Sequence, residues 1–251
     1  MAATAPFLFL ITGPLLAVQA ACPVPVAGAL HRVERVYDGD SLRLSDGIRV
    51  RLAGINTPEL RHGESADEPY AVQAQERLLQ LVKASDHRLI LQPSAESRDR
   101  YDRLLAHAYT PEGVSVQEQM LLAGLGLTHV HPPNLGNRNC YHKAETQARD
   151  LGLGVWKNLP VTASSLDNND EGFIVLHGRV TRVRNTRRSI WLELRTGPSL
   201  RIARRDLAHF DTTDSSSLVG KDIEARGWLY RHRNRLQMRI RHPDALRIAD
   251  Q

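Results

Sequence analysis

The chain has 251 residues, of which 41% are hydrophobic and 24% are charged. Such a chain can bury one large core or two small ones, which excludes a disordered protein and one dominated by membrane spans. Residues 1–158 carry 16 Lys and Arg against 17 Asp and Glu, whereas residues 159–251 carry 17 against 11. The positive surplus therefore lies wholly in the second part, where an anionic partner is expected.

The first twenty residues contain no charged side chain and include an apolar run from Phe7 to Val18. This run is too short to cross a bilayer and ends in small residues, so it predicts a secretory signal cleaved after Ala20. The n-region lacks the usual Lys or Arg, so a different start position stays open. A lipoprotein with Cys22 lipidated is disfavoured by Gln19. We expect a secreted or periplasmic protein without a membrane span.

The chain has two cysteines, Cys22 and Cys140. An even pair in an oxidising compartment predicts one disulfide, with two unrelated thiols as the alternative. The bridge would close a loop of roughly 118 residues and add on the order of 4 kcal/mol to the free energy of unfolding in the chain-entropy model.

The first part of the chain reads as strands followed by helices. Apolar patterning predicts strands at LHRVERV, SLRL, IRVRLAGI, RLILQ and LLAHAY. Helical spacing predicts a helix over residues 68–83, and a second over 115–123 that Ser115 and Glu118 open as a capping box. A third helix is predicted from about residue 139 to Gly152. Five strands and three helices favour an α+β, mostly β, domain built on a barrel over residues 21–158.

The second part begins after a break in the pattern. The segment NLPVTASSLDNNDEG has no periodicity and predicts a linker over residues 159–171. Residues 172–251 then show five short alternating strands, with LAHFDTTDSSSLVG before the fourth. This spacing, together with GRV and GKDIEARGWL, resembles OB-fold nucleic-acid-binding domains. It predicts a second small all-β barrel.

Arginine supplies 16 of the 17 cations in residues 159–251. This choice suits bidentate and stacking contacts with phosphates and bases, and favours nucleic acid as the partner. A solvated face, another polyanion or the first domain are the alternatives. Trp191, Trp228 and Tyr230 are candidate stacking platforms, or else they belong to the barrel core.

Two short segments of the first domain bring chemically distinct groups together. VYDGDSLRL sets Asp40 between two strands, and RLAGINTPEL then supplies Arg51, Asn56 and Glu59 within nine positions. Ordinary turns and a solvated glutamate explain either segment alone. Jointly, the Asp40 carboxylate, the Asn56 amide and the Thr57 carbonyl offer hard oxygen ligands that suit calcium or magnesium rather than zinc.

Further motifs make the first domain recognisable. SRDRYDRLLAHAY adds Arg103 at the mouth of the fifth strand, a second guanidinium for a phosphate oxygen. The ordered set DGDS, RLAGINTPE, DRYDRLLAHAY, GLGLTHVHPPN, CYHKAETQAR and LGVW resembles the thermonuclease, or staphylococcal nuclease-like, family over about residues 30–157. The resemblance implies an OB-type barrel whose enzyme hydrolyses DNA and RNA with calcium and leaves 3′-phosphate ends. By motif position, it makes Asp40 the metal carboxylate, Arg51 and Arg103 the phosphate ligands, and Glu59 the general base.

Three departures from the family pattern carry predictions of their own. Asn56 stands where a second Asp is common, which predicts weaker calcium binding. Asp102 replaces the usual Gly, and we expect it to form an ion pair with Arg103. His129 and His131 stand where tyrosines often contact nucleotide. They are either phosphate or base ligands, strongest at acidic pH, or ordinary loop histidines.

Two functions follow from this pattern. The first is an exported, metal-dependent endonuclease of DNA and RNA, with Tyr101, His129 and His131 as candidate substrate contacts. Its metal is calcium, or magnesium or another hard divalent cation. The second is a catalytically weak or inactive tandem OB protein that binds nucleic acid or polyanions, favoured by Asn56 and Asp102. For either function we expect a monomer without an obligate protein partner.

Overall fold

The structure is a computed structural model that describes residues 22–24, 28–61, 66–167, 170–210 and 215–249. The predicted signal segment, residues 1–20, and its cleavage position after Ala20 lie outside the described residues. Among the described residues, no helix is both long enough and apolar enough to cross a membrane.

The first region of the chain folds as a closed five-stranded barrel with three helices. Its elements, in chain order, are β1 (Ala29–Val36), β2 (Ser41–Leu44), β3 (Arg49–Leu52), β4 (Ile55–Asn56), α1 (Ala71–Ala84), β5 (Arg88–Arg98), β6 (Leu104–Tyr109), α2 (Val116–Leu122), β7 (Leu127–Thr128) and α3 (Arg138–Asp150). The barrel runs in the order β1-β2-β3-β6-β5. Only β3 and β6 pair in parallel. The predicted α+β barrel is thereby confirmed.

Local sequence explains where these elements begin and end. Helix α1 starts three residues later than predicted, because Tyr70 adopts a left-handed conformation with φ of 72°. The predicted strand IRVRLAGI divides into β3 and β4, because Gly54 turns the chain with φ of 85°. A Cβ atom at Gly54 would come within 2.7 Å of the Tyr141 ring, so the turn requires glycine. Strand β4 then leaves the barrel and pairs with β7.

The core of the first barrel joins strand and helix side chains. Leu42, Leu52 and Leu91 point inward and are almost fully buried against Leu78 of α1 and Met120 of α2. Helix α2 is capped as predicted, since the Ser115 hydroxyl accepts a hydrogen bond from the Glu118 amide at 3.3 Å. Cys22 and Cys140 form a disulfide that ties the start of the described chain to α3.

The second region folds as another closed five-stranded barrel. Its strands are β8 (Val161–Thr162), β9 (Gly172–Asn185), β10 (Ser189–Leu194), β11 (Ser199–Ala203), β12 (Asp222–His232), β13 (Arg235–Ile240) and β14 (Leu246–Ile248). Strands β9-β10-β11-β13-β12 form the ring, and β12 closes it by pairing with β9. Strands β11 and β13 pair in parallel, as β3 and β6 do. The predicted second all-β barrel is confirmed.

Part of the predicted linker belongs to this second barrel. Strand β8 pairs in parallel with β9, and a 3-10 turn over Ala163–Ser165 follows it. Ala163 is fully buried beside Leu176 and Leu194 in the barrel core. The sequence showed no periodicity here because a two-residue strand is too short to produce one.

The two barrels dock through buried ion pairs. Arg226 of β12 reaches Glu145 of α3 at 2.6 Å, and both residues are buried. Arg149 of α3 binds Glu224 of β12 through two parallel contacts at 2.9 and 2.7 Å. Bidentate contacts between planar groups fix orientation as well as distance. The relative placement of the barrels is therefore set by specific geometry.

Candidate functional site

A cleft of about 1000 Å³ opens between the two barrels. One wall comes from β3, the turn that follows it, and the segment that precedes β6. The other wall comes from β12 and β13. Seven residues predicted from the sequence to act on metal or substrate line this cleft: Arg51, Asn56, Glu59, Tyr101, Arg103, His129 and His131.

Asp40 lies behind the cleft, at the end of the turn between β1 and β2. It is 1% exposed. Its Oδ2 atom accepts a hydrogen bond from the Thr57 amide at 2.8 Å and pairs with Arg51 Nη1 at 2.7 Å. The pKa of Asp40 is raised to about 7, mainly by burial. The charge of Arg51 acts in the opposite direction, and the carboxylates of Asp38 and Glu59 act with burial.

Arg51 is held by the turn that Gly54 creates. Its guanidinium donates to the carbonyls of Leu52 and Ile55 at 2.9 and 3.1 Å. It also donates to Asn56 Oδ1 at 3.0 Å. With the Asp40 contact, these bonds fix the plane of the guanidinium before any ligand arrives. A donor fixed in advance costs no reorganisation when it meets an anion.

Glu59 follows Pro58 at the end of the same turn and is half-buried. Desolvation raises the pKa of its carboxyl group, and repulsion from Asp38 and Glu68 adds to this effect. Arg51 and Arg103 act in the opposite direction. Both guanidinium groups are thus within electrostatic reach of Glu59. A carboxyl group with a raised pKa is a stronger base once it is ionised.

Arg103 stands at the entry to β6. Its Nε atom donates to Asp99 Oδ2 at 2.7 Å, and its guanidinium lies 5.7 Å from the centre of the exposed Tyr101 ring. The predicted pair between Asp102 and Arg103 is wrong. Asp102 adopts a left-handed conformation with φ of 61°, and its carboxylate instead contacts Arg98 at 3.0 Å.

His129 and His131 face the second barrel across the cleft. The His129 ring packs edge-on against Phe173 at 5.0 Å, and His131 contacts Arg241. Burial, with repulsion from His131, lowers the pKa of His129 to about 3. Burial, with repulsion from Arg241, lowers the pKa of His131 also. Both shifts act against the predicted strengthening of a phosphate contact at acidic pH.

The predicted oxygen donors are of the type that a hard divalent cation takes, and in the structure they contact protein groups. The Asn56 amide nitrogen donates to the Thr57 carbonyl at 3.2 Å, while its oxygen faces Arg51. Within the described parts of the chain, no group of three or more His, Cys, Asp and Glu residues is arranged to hold a metal ion. One buried carboxylate, Asp40, with two neutral oxygens suits a cation that keeps water and phosphate among its ligands.

The three candidate stacking residues of the second barrel all lie outside its core. Trp228 is 44% exposed and lines the cleft, as Tyr230 does. Trp191 is half-buried outside this cleft, with Arg184 and Arg201 at 5.4 and 5.6 Å from its ring centre.

Sequence reasoning missed three contributors to the site: Asp99, Phe173 and Arg241. Asp99 stands four residues before Arg103, a spacing that would have suggested the ion pair. No local signal marks Phe173, which packs against His129 of the cleft, or Arg241, which lines the cleft, because both belong to the second barrel.

Comparison with known proteins shows what the first barrel is similar to. Residues 49–158 match the family model described as Staphylococcal nuclease homologue. The SPbeta prophage-derived endonuclease YokF of Bacillus subtilis (strain 168) is 34% identical over 137 residues, which cover 52% of this chain and 45% of that protein. Endonuclease YncB of the same strain is 32% identical over 130 residues, 49% of this chain and 60% of that protein.

A third relative is the Thermonuclease of Staphylococcus intermedius, 29% identical over 135 residues, which cover 53% of this chain and 79% of that protein. The chain spans about half the length of the two Bacillus relatives. The matched segment contains Arg51, Glu59 and Arg103, and it ends before β8. Residues 49–158 are therefore similar to the staphylococcal nuclease family and to its endonuclease and thermonuclease relatives.

Proposed function

We propose that the protein is an exported, metal-dependent nuclease that hydrolyses phosphodiester bonds of DNA and RNA and leaves 3′-phosphate ends. One observation carries the proposal: Arg51, Arg103 and Glu59 line one cleft, and Asp40 lies directly behind Arg51. The endonuclease and thermonuclease names of the relatives support the same reaction.

The two arginines would bind the reacting phosphate. Hydrolysis adds negative charge to the phosphate oxygens as water attacks, so donors aimed at that charge lower the barrier. Arg51 is already fixed by backbone carbonyls and Asn56. Arg103 is fixed by Asp99 and lies beside the Tyr101 ring. Each guanidinium can offer two parallel hydrogen bonds to a phosphate.

Glu59 would act as the general base. Its raised pKa favours transfer of a proton from water to its carboxylate in the transition state. The positive charges of Arg51 and Arg103 favour the ionised form of Glu59, because they oppose the desolvation that raises its pKa. Tyr101 would contact the nucleotide beside the phosphate.

A hard divalent cation, calcium or magnesium, would be held by Asp40 with the Asn56 and Thr57 oxygens. When bound, such a cation neutralises phosphate charge and increases the acidity of coordinated water. Asp40 contributes the one buried carboxylate to this set, and because burial is the main cause of its raised pKa, a cation beside it would favour the ionised form. Asn56 contributes no charge, which predicts weaker calcium binding than a carboxylate there would give.

We assign residues 1–20 to the signal, residues 21–158 to the nuclease domain, residues 159–171 to a linker that adds β8 to the second barrel, and residues 172–251 to the basic OB-like domain. The Cys22–Cys140 disulfide supports export, because disulfides persist in oxidising compartments. Monomeric behaviour remains our expectation.

The direct test incubates the full chain with plasmid DNA and with RNA, in calcium, magnesium or EDTA, followed by chemical identification of the ends. We expect cleavage of both polymers with calcium, none with EDTA, and phosphate on the 3′ side. Intact substrate under every metal condition would contradict the proposal. Glu59→Gln serves as the matched variant, because it keeps the size of the side chain and removes the base.

A second candidate function is a nucleic-acid-binding protein with little turnover. It is favoured by the partners of the two arginines: Arg51 is engaged by Asp40 and Asn56, and Arg103 by Asp99. If these pairs persist with substrate, the phosphate would receive less charge stabilisation. Binding that survives in calcium without cleavage, and that is lost in Arg51→Ala, would favour this candidate.

A further inference from the structure

We infer that the second barrel completes the substrate site, with Trp228 stacking on an unpaired base of the strand whose phosphate Arg51 and Arg103 bind. This inference rests on the proposed nucleic-acid substrate. It assigns a base-binding subsite to a residue outside the segment that matches the nuclease family. It also narrows the substrate to single-stranded segments.

The first step is that the second barrel is fixed against the cleft. Arg226 bonds at once to Glu145 Oε2 at 2.6 Å and to the Thr128 hydroxyl. Glu145 also accepts from the Thr128 amide at 2.7 Å. Because Thr128 belongs to β7, which pairs with β4 next to Asn56, this network joins the second barrel to the catalytic turn.

The second step is a row of aromatic rings that runs from the first barrel to the second. The ring centres of His131 and His129 are 5.8 Å apart, those of His129 and Phe173 are 5.0 Å apart, and those of Phe173 and Trp228 are 6.0 Å apart. Phe173 meets both of its neighbours nearly edge-on, at 83° and 77°. Packing thus sets the plane of the Trp228 indole while leaving 44% of the residue exposed. A partly exposed, pre-oriented indole is suited to base stacking.

The third step is the charge of this wall. Arg239 and Arg241 line the cleft beside Trp228. They share one carboxylate, that of Asp206, at 2.9 and 3.8 Å. Two guanidinium groups against one carboxylate leave net positive charge, which attracts a phosphate backbone. The wall therefore combines the two features of a single-strand groove, a stacking surface and a basic lining.

The fourth step is the choice of strand. In a duplex, both faces of a base are covered by neighbouring bases, so an aromatic side chain can stack only on a base that is unpaired or displaced. We expect single-stranded segments to bind in preference to duplex of the same sequence.

The test uses the full chain with Trp228→Ala, Trp228→Phe and Trp191→Ala. Binding of a fluorescent single-stranded hexanucleotide is measured in EDTA, and kcat and KM for the same oligonucleotide are measured with calcium. For Trp228→Ala, we expect about tenfold weaker binding and a similar rise in KM, with kcat within about twofold of wild type. Trp228→Phe should keep most of the wild-type affinity and KM, because it retains an aromatic face. Trp191→Ala should leave all three constants unchanged, since Trp191 lies outside the cleft lining.

Unchanged binding and KM in Trp228→Ala, with unchanged melting temperature, would overturn the inference. So would equal affinity of the wild type for the hexanucleotide and for a hairpin duplex of the same sequence. Failure of the proposed nuclease function is distinguishable from these outcomes. In that case no variant would cleave, while the binding series in EDTA would still separate Trp228→Ala from Trp191→Ala.

Discussion

The two barrels share one strand order, yet their chemistry differs at the corresponding place. In the first barrel, Ser41 opens the second strand and pairs with Arg51 across the sheet. In the second barrel, Ser189 opens the second strand and pairs with Ala203. The residue ahead of Ser41 is Asp40, whereas an arginine precedes Ser189. The second barrel has neither the carboxylate nor the guanidinium that the proposed reaction needs there.

The shared topology places equivalent strands in both barrels, and the side chains on those strands determine which reaction each barrel could support. The first barrel is surrounded by three helices, and its cleft-lining turn is held by the β4–β7 pairing. The second barrel is connected by 3-10 turns and presents arginines on its surface. Its contribution is therefore expected through docking and substrate binding, while the groups that we propose for hydrolysis belong to the first barrel.

The largest expected effect comes from breaking the contact that joins the barrels. Replacing Arg226 by Met leaves the buried Glu145 carboxylate without its main cationic partner. Removing one partner of a buried ion pair typically costs about 3–5 kcal/mol of stability. We expect a loss of this size in the free energy of unfolding, measured by urea denaturation. The double variant Glu145→Gln with Arg226→Met should recover part of it, and an equal loss in the double variant would contradict the explanation.

The next prediction concerns the third strand of each barrel, where Arg51 of β3 corresponds to Ala203 of β11. Arg51→Ala gives the first barrel the residue type that the second has at Ala203. Loss of one preorganised donor to the transition state should lower kcat by about 10²–10³-fold. The matched control is Arg43→Ala on β2, a partly exposed arginine paired with Glu34, which should retain near wild-type kcat. Retained activity in Arg51→Ala would remove this residue from the reaction.

A smaller effect concerns pH and the docking of the barrels. Burial opposes protonation of His142, but its hydrogen bonds with Asp244 and Glu145 outweigh burial and raise its pKa from 6.5 to about 9. Stability from the charged histidine is therefore fully present below pH 6.5 and is lost as the pH rises through 9. We expect a decline on the order of 2 kcal/mol across this window. His142→Gln should flatten it, whereas the exposed His232→Gln should leave it unchanged.

The smallest expected effect concerns the cation. Asn56→Asp adds a carboxylate beside Asp40 and should tighten calcium binding by about tenfold, since affinity rises with ligand charge. Arg51, which now donates to Asn56, would partly offset the gain because it competes with the cation for the new carboxylate. Isothermal titration with calcium measures the change, and Asn56→Ser serves as the uncharged control. Equal affinity in all three proteins would mean that residue 56 does not bind the metal.

Much of the fold could be predicted from sequence because the determinants are local. Alternating apolar residues locate the barrel strands, and the Ser115 cap marks the start of α2. Arg51, Glu59 and Arg103 could be grouped because the motifs that carry them resemble those of the staphylococcal nuclease-like family. The error at Asp102 arose because it was taken to pair with its neighbour Arg103. The backbone conformation instead turns the Asp102 carboxylate toward Arg98.

The docking surface could not be predicted in the same way. Glu145 and Arg149 lie on a helix whose polar face looks solvated in the sequence, and their partners are 81 and 75 residues away. This face is buried only because a second domain covers it, and the residue pattern of α3 does not indicate that domain. The same reason hides Arg241, which lines the cleft, and Phe173, which packs against His129 there.

The Cys22–Cys140 bridge has a consequence for the order of assembly. Both half-cystines lie within the first 140 residues, so this covalent loop can close while the C-terminal barrel is still being synthesised. The bridge anchors the first turn of α3, the helix that also carries Glu145 and Arg149. Helix α3 can thus be held in place before the second barrel has been made, and reducing conditions during synthesis would remove this restraint.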